Sequence, residues 1–360
     1  MVNDENSEYA SDQNPAVSKP GSKFIIALVA VAVVIAIGAI IVLLRQPKDD
    51  TGITDVGTEA TPTETVTKAG LRTYETLSFD QASEVAGDPY GDKNGPYYHK
   101  VYKATSTDGL TFSGKELVAD KSSVPDVVRM ADGTLFLYAV DGAKRSTQGL
   151  MVSVSKDNGK TWKQGSVSIP TNGEVFVPAD PQAVLLDDGQ IRLFFVAFPA
   201  KKPPLDANGV PIPTNELNKI KTAISTDGLN FTLESGSRYE TTEILTDPDV
   251  VKIGGKWFMY LAKGSKQIAF SSSDGQTFNL EKTIRTDGAI SKTVDVGGGT
   301  YRQFFCKAGI ASATTTDGLN FINDSGVRLA ENTGEIYCDP TPVKVGTEWQ
   351  LYYKVAPAAK

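Results

Sequence analysis

Ser155-Lys156-Asp157-Asn158-Gly159-Lys160-Thr161-Trp162 reads as a hairpin corner, and the chain writes this corner five times. Asp and Gly in this order suit a tight turn that needs positive φ, with the Asp side chain accepting from nearby backbone N–H groups. The aromatic residue then tucks beneath the turn. The same order of chemistry occurs at Ser106-Thr107-Asp108-Gly109-Leu110-Thr111-Phe112, and again at Ser225 to Phe231, Ser272 to Phe278 and Thr315 to Phe321. Each copy follows a short β-rich run such as Lys266-Gln267-Ile268-Ala269-Phe270. Recurrence of this kind marks a repeat architecture.

Between the corners lies a second half-unit, an apolar strand opening on an acidic or Pro-containing corner and followed by an aromatic-rich strand. Val124-Pro125-Asp126-Val127-Val128 leads to Leu135-Phe136-Leu137-Tyr138, and Asp180-Pro181-Gln182-Ala183-Val184 leads to Ile191-Arg192-Leu193-Phe194-Phe195. Asp247-Pro248-Asp249-Val250-Val251 leads to Trp257-Phe258-Met259-Tyr260. A weaker copy starts near Ile290 and leads to Tyr301-Arg302-Gln303-Phe304-Phe305. The last runs from Asp339-Pro340-Thr341-Pro342-Val343 to Trp349-Gln350-Leu351-Tyr352-Tyr353.

The repeats open on a corner with no clear strand pair before it and close on a strand pair with no corner after it. Joined, these halves complete five four-stranded blades in a ring closed by its own ends, which protects the edge strands. The expectation is an all-β, five-bladed β-propeller over residues 71–360. A six-bladed ring would need Asp88-Pro89-Tyr90 to open a degenerate strand pair of its own.

The net charge of −7 and the absence of a Lys/Arg cluster argue against nucleic acid, whose phosphates require a basic face. No CxxC pair is present and His99 is the only histidine, so no zinc site is implied. Cys306 and Cys338 are either two buried thiols or one disulfide, the latter permitted outside the cytoplasm.

Phe24 to Leu44 is 21 residues without a charge, enough to span the ~30 Å core of a lipid bilayer. It is longer than a signal-peptide core and ends in Leu43-Leu44-Arg45, which reads as an uncleaved anchor. Lys19 and Lys23 nearly balance Arg45 and Lys48, so charge leaves the orientation open. The exported look of the downstream domain places the N-terminus inside. The expected organisation is a disordered cytoplasmic tail at 1–23, a transmembrane helix at 24–44 and a disordered Thr/Pro-rich stalk at 45–70. The C-terminal domain is then extracellular on a single-pass cell-membrane protein.

The turn at Ser155 to Trp162 resembles the Asp-box of sialidases and other propellers. The Asp-Pro openings at Asp180, Asp247 and Asp339 resemble the innermost strands of five-bladed glycosidases of the arabinanase, xylosidase and invertase type. The resemblance spans about Tyr98 to Val355. It implies a structural role for Asp108, Asp157, Asp227, Asp274 and Asp317, on the face opposite the ligand funnel. It further implies that the first strand of each blade starts at the funnel, so that Asp126, Asp180, Asp247 and Asp339 converge there. Asp249 then shares the face of Asp247 by the period of a strand. Lys292 joins from the weaker blade, and entering loops add Glu174, Glu243 and Glu335.

Glycoside hydrolysis needs two carboxyl groups across the scissile bond, and crowding holds one of them protonated. The candidates are Asp180 or Asp339 as base, Asp126 or Asp247 as orienting carboxylate, and Glu335 or Glu174 as acid. Asp249, Lys292, Glu243 and Tyr337 are candidate ligand contacts. Tyr90, Tyr97, Tyr98 and Tyr239 are further aromatics able to stack on sugars, and His99 beside them is expected to meet solvent or backbone. The interval from Asp157 to Asp227 carries about twenty extra residues, Pro199 to Lys219, a candidate rim or lid. The competing reading is that Asp-Pro merely caps a strand start, where proline sits well. No Arg-Ile-Pro opening of the sialidase kind is present. The expected partner is a carbohydrate or glycoconjugate, either cleaved or held intact by a non-catalytic propeller. No cofactor is implied, although a ring of acids offers oxygen ligands to Ca²⁺.

Overall fold

The computed structural model describes residues 72–81, 86–199 and 217–358. The expected tail, membrane helix and stalk lie outside the described residues, as do residues 200–216 of the long loop. Among the described residues no helix is long and apolar enough to cross a membrane.

After a 3-10 turn at Pro96–Tyr98 come β1 (Lys100–Ser106) and β2 (Ser113–Asp120). The first complete blade follows as β3 (Ser122–Arg129), β4 (Leu135–Asp141), β5 (Leu150–Ser155) and β6 (Lys163–Ser166). The second holds β7 (Phe176–Leu185), β8 (Ile191–Pro199), β9 (Asn218–Ser225) and β10 (Thr232–Leu233), with β11 (Tyr239–Thr241) added against β9. The third is β12 (Thr246–Ile253), β13 (Lys256–Lys263), β14 (Lys266–Ser272) and β15 (Asn279–Arg285). The fourth is β16 (Ala289–Gly297), β17 (Thr300–Cys306), β18 (Ile310–Thr315) and β19 (Ile322–Asn323). Finally β20 (Glu335–Val345) and β21 (Glu348–Pro357) pair with the first two strands in the order β2-β1-β21-β20. The two ends of the repeat therefore complete the fifth blade, and β20 packs against both β16 and β3 to close the ring. Asp88-Pro89-Tyr90 opens no sixth blade: the Tyr90 N–H donates to Asp88 Oδ1 and its hydroxyl donates to the Asp141 carbonyl.

The aromatic second strands fill the seams between blades. Tyr138, Tyr260 and Tyr352 are among the largest fully buried side chains. Tyr138 and Tyr260 donate across a seam to the carbonyls of Gly228 and Gly318, each at 2.8 Å. Those glycines sit in the repeated corners, whose hydrogen bonds follow one pattern in every blade, with Asn158 as an extra residue in the first complete blade. In one, Ser225 Oγ donates to Asp227 Oδ1 and accepts from the Gly228 N–H, both at 2.9 Å, while Asp227 Oδ1 accepts from Leu229 and Asn230 at 2.8 Å. In another, the N–H groups of Thr111 and Leu110 hold Asp108 ionised, pulling its carboxyl down to about 2. These aspartates work on their own backbone, and the corners join the third and fourth strands, away from where the inner strands begin.

The innermost strands share one irregularity. Val124, Asp180, Asp247, Ile290 and Asp339 have φ of 49, 49, 53, 59 and 52°, and at each the pairing with the second strand slips. In four of the blades proline follows, a residue that cannot donate to the ladder and is tolerated at such bulges. The slip fixes which residues correspond. Val124, Asp180, Asp247, Ile290 and Asp339 form an upper ring, and Asp126, Gln182, Asp249, Lys292 and Thr341 form the ring below it.

Gly228 offers a test of the corner. Its φ is +74°, and a Cβ there would stand 2.7 Å from the Phe136 ring, whereas at Gly189, φ +83°, a Cβ would meet nothing within 4 Å. Gly189→Ala should cost only the left-handed strain of about 1–2 kcal/mol. Gly228→Ala should lower the thermal midpoint clearly further, and equal losses would mean that the Gly228 contact is immaterial.

Candidate functional site

The upper ring opens the channel, and three of its five residues are acids. Asp180 and Asp247 come from adjacent blades, while Asp339 is flanked by Ile290 on one side and Val124 on the other. All three are nearly out of solvent, at 1%, 7% and 5% exposed. They line a cavity of ≈ 20 Å³, room for about one water. The Asp247 N–H donates to Asp180 Oδ2 at 3.4 Å, and Lys354 Nζ lies 2.5 Å from Asp339 Oδ2. Asp247 Oδ2 accepts no hydrogen bond. Burial first, and then the charges of Asp247 and Asp339, push the Asp180 carboxyl well above its ordinary range. Burial and then Asp339 push Asp247 up to about 7. Such a centre holds protons at neutral pH. It can therefore present an acid and a base within one small cavity.

The lower ring is a floor. Asp126 lines the same cavity as the three acids, as expected, but from one tier down, because it follows its proline where the others precede theirs. It receives Lys292 at 2.7 Å, the Ala183 N–H at 2.7 Å and the Thr341 hydroxyl at 3.1 Å. Burial raises its carboxyl while Lys292 works against that. Lys292 thus reaches the axis, as an ion partner of Asp126. Asp249 turns into the seam between the third and fourth blades, where Ser291, Thr293 and Gln303 donate to it. Below this floor the channel widens to ≈ 780 Å³, walled by Val128, Val184, Val251, Val294 and Val343.

None of the three expected glutamates lines the cavity of the aspartates, and each is bound to a lysine. Glu174 pairs with Lys221 at 2.9 Å and Glu243 with Lys263 at 2.6 Å. Glu335 pairs with Lys115 at 2.5 Å and accepts from Tyr337 at 2.9 Å. Burial acts to raise the Glu335 carboxyl, but the bonds from Lys115, Tyr337 and Asn332 prevail and hold it low. Such a group does not keep a proton to donate. Tyr337 is buried, 5.0 Å from the Tyr353 ring, and Tyr239 packs at 4.6 Å on Phe270, so neither offers a face to a sugar. Tyr98 is the exposed member of the aromatic set on the mouth side. His99 is buried, away from solvent, with Nδ1 2.9 Å from Ser123 Oγ and a hydrogen bond to the backbone of Asn94, the backbone contact expected of it. Burial, and then Lys354, push it down to about 3, so the imidazole is neutral. Among the described residues no cluster of three His, Cys, Asp or Glu is arranged to hold a metal ion.

Cys306 and Cys338 form a disulfide. It joins β17 to β20 beside Asp339, whose N–H points at Cys306 Sγ at 3.1 Å.

Two features of the site escaped the sequence reading. Lys354 was legible as a lone cation in the buried run Tyr352-Tyr353-Lys354-Val355. The two-tier register was legible in the valine two residues beyond each lower-ring position, at 128, 184, 251, 294 and 343.

No protein-family model matches the chain, and no curated protein matches it. Solved structures similar to it include a protein of unknown function from Dyadobacter fermentans, at 16% identity and TM-score 0.49, covering 72% of this chain and 84% of that one. A thermostable family-43 glycoside hydrolase is similar at 13% identity and TM-score 0.47, covering 64% and 88%. A family 117 glycoside hydrolase from the marine bacterium Zobellia galactanivorans is similar at 14% identity and TM-score 0.45, covering 72% and 91%. At such distances no residue of theirs carries its role onto a position here.

The raised carboxyls have a consequence for stability. Between the ordinary aspartate value of about 4 and the value of about 7 for Asp247, the folded protein holds a proton that the unfolded chain has released. Stability is therefore full below that window and falls as pH rises through it. Asp247→Asn keeps the shape without the titration. Its thermal midpoint should exceed that of the wild type at pH 8, with the gap closing towards pH 4; a gap constant with pH would mean that Asp247 titrates normally.

Proposed function

We propose that this chain is a membrane-anchored, extracytoplasmic propeller that acts on carbohydrate as a glycoside hydrolase through Asp180, Asp247 and Asp339. The observation that carries this reading is the convergence of three buried carboxyls, at one ring position of three blades, on a cavity the size of one water. Asp339 is the base and takes a proton from water as the new bond to the anomeric carbon forms. The pair Asp180 and Asp247 supplies the proton to the leaving oxygen as the glycosidic bond breaks. The glutamates take no part because none lines the cavity, and Asp126, at its floor, has both oxygens engaged by Lys292, Ala183 and Thr341. Tyr98 is the aromatic available to a sugar ring at the rim.

The anchor is Phe24 to Leu44, with the stalk beyond it and the propeller outside. The Cys306–Cys338 disulfide supports this compartment, since such bonds persist outside the reducing cytoplasm. A second reading, a propeller that binds glycan without cleaving it, is favoured by the near-complete burial of the acids.

The purified full chain in detergent, incubated with a broad panel of glycosides and polysaccharides, should release sugar. Asp339→Asn should lower the rate by about 100-fold or more. Retention of a glycan with no released product would replace hydrolysis by binding. For the anchor, the chain should stay with membranes through an alkaline wash, and deletion of 24–44 should free it. Release of the intact chain by the wash alone would remove the anchor.

A further inference from the structure

We propose that Lys354 is a positioning residue of this centre: its ammonium fixes Asp339 as the carboxylate that stays ionised, and so places the proton on the opposite pair, Asp180 and Asp247. The proposal rests on the reading of the three aspartates as an acid–base centre, and it adds what makes them unequal.

Lys354 lies on β21 directly opposite Cys338 of β20, so the strand register delivers its side chain to the neighbour of Cys338, which is Asp339. Both side chains are buried, and Nζ stands 2.5 Å from Asp339 Oδ2. The groups facing Lys354 are Asp339 from β20, Asp180 from β7, Asp247 from β12, and His99 from the segment before β1. His99 is neutral, and the cation of the floor, Lys292, is already committed to Asp126. One ammonium therefore serves three acids. Like charges in a poorly solvated site repel strongly, and a cation in contact lowers the cost of ionisation most for the carboxylate it touches. The other two are left to share protons. A lysine suits this task because it is a compact point charge bound to one oxygen, leaving the second Asp339 oxygen free. Neither Asp339 oxygen accepts a hydrogen bond, and only Oδ2 lies within ion-pair reach of an ammonium.

The test compares Lys354→Met and Lys354→Arg with the wild type in the full chain, following the thermal midpoint from pH 4 to pH 9 and, where turnover exists, the pH dependence of kcat/KM. Without the ammonium, Asp339 takes up a proton in the folded state, and stability should fall with rising pH over a wider and higher window. The limb of kcat/KM that reports ionisation of the base should move up by a pH unit or more, and Lys354→Arg, which keeps the positive charge, should restore the stability profile. A Lys354→Met curve of wild-type shape, lowered equally at every pH, would overturn the assignment. A shifted stability curve with no turnover from any variant would leave Lys354 in place and remove hydrolysis. Should Lys354→Met fail to fold, Lys354→Met with Asp339→Asn removes both charges and should recover a folded protein. If the double variant is no more stable than the single, the pairing is not what Lys354 is for.

Discussion

Proline in the body of a β-ladder removes a hydrogen bond, and four of the five innermost strands carry one at the channel mouth. The slip at the preceding residue takes that proline out of the ladder, at the cost of a left-handed conformation worth about 1–2 kcal/mol at each position. Two of the five bearers are Val124 and Ile290, β-branched residues for which positive φ is least tolerable. They have no carboxylate to present. The kink is thus a property of the architecture, and three blades exploit it by placing an acid where the backbone already turns inward.

The same kink assigns the inner-strand side chains to two tiers, and each seam between blades is then latched differently. Asp126 takes the Ala183 N–H across the first seam, and Asp180 takes that of Asp247 across the second. Asp249 binds three side chains of the fourth blade. The fourth seam is spanned by the disulfide, and the fifth by Thr341, which accepts from Val127 and donates to Asp126. Acids that look alike in sequence therefore divide into those spent on the ring and those left to the mouth. Asp249 has every oxygen engaged and is a strut. Asp339 and Asp247 keep oxygens that nothing satisfies.

The ring, its five blades and its closure were legible because corners and strand pairs alternate, and the unmatched halves at the two ends can only combine. The structural role of the corner aspartates was legible for the same reason, since a side chain bonding its own backbone leaves a local pattern. The site was legible only in part. Asp180, Asp247 and Asp339 share an Asp-Pro signature and do converge; Asp126 lines their cavity too, but from one tier down, a place set by the slip in pairing that residue type does not announce. The glutamates were misleading in a different way. Glu174, Glu243 and Glu335 precede the right strands, yet their partners Lys221, Lys263 and Lys115 lie on other strands, and no local pattern announces such pairs.

The chain joins the propeller beside the corners. The Arg72 carbonyl accepts from Asn230, and Tyr74 lies 4.2 Å beneath Lys156 of the first blade's corner. From there the chain climbs the outer edge of that blade, past Ser166, to Thr147 between β4 and β5. Whatever holds this protein from its N-terminal side therefore holds it by the foot. The anchor proposed above would then meet the corner face, and the mouth that carries Asp180, Asp247 and Asp339 is the opposite end of the ring.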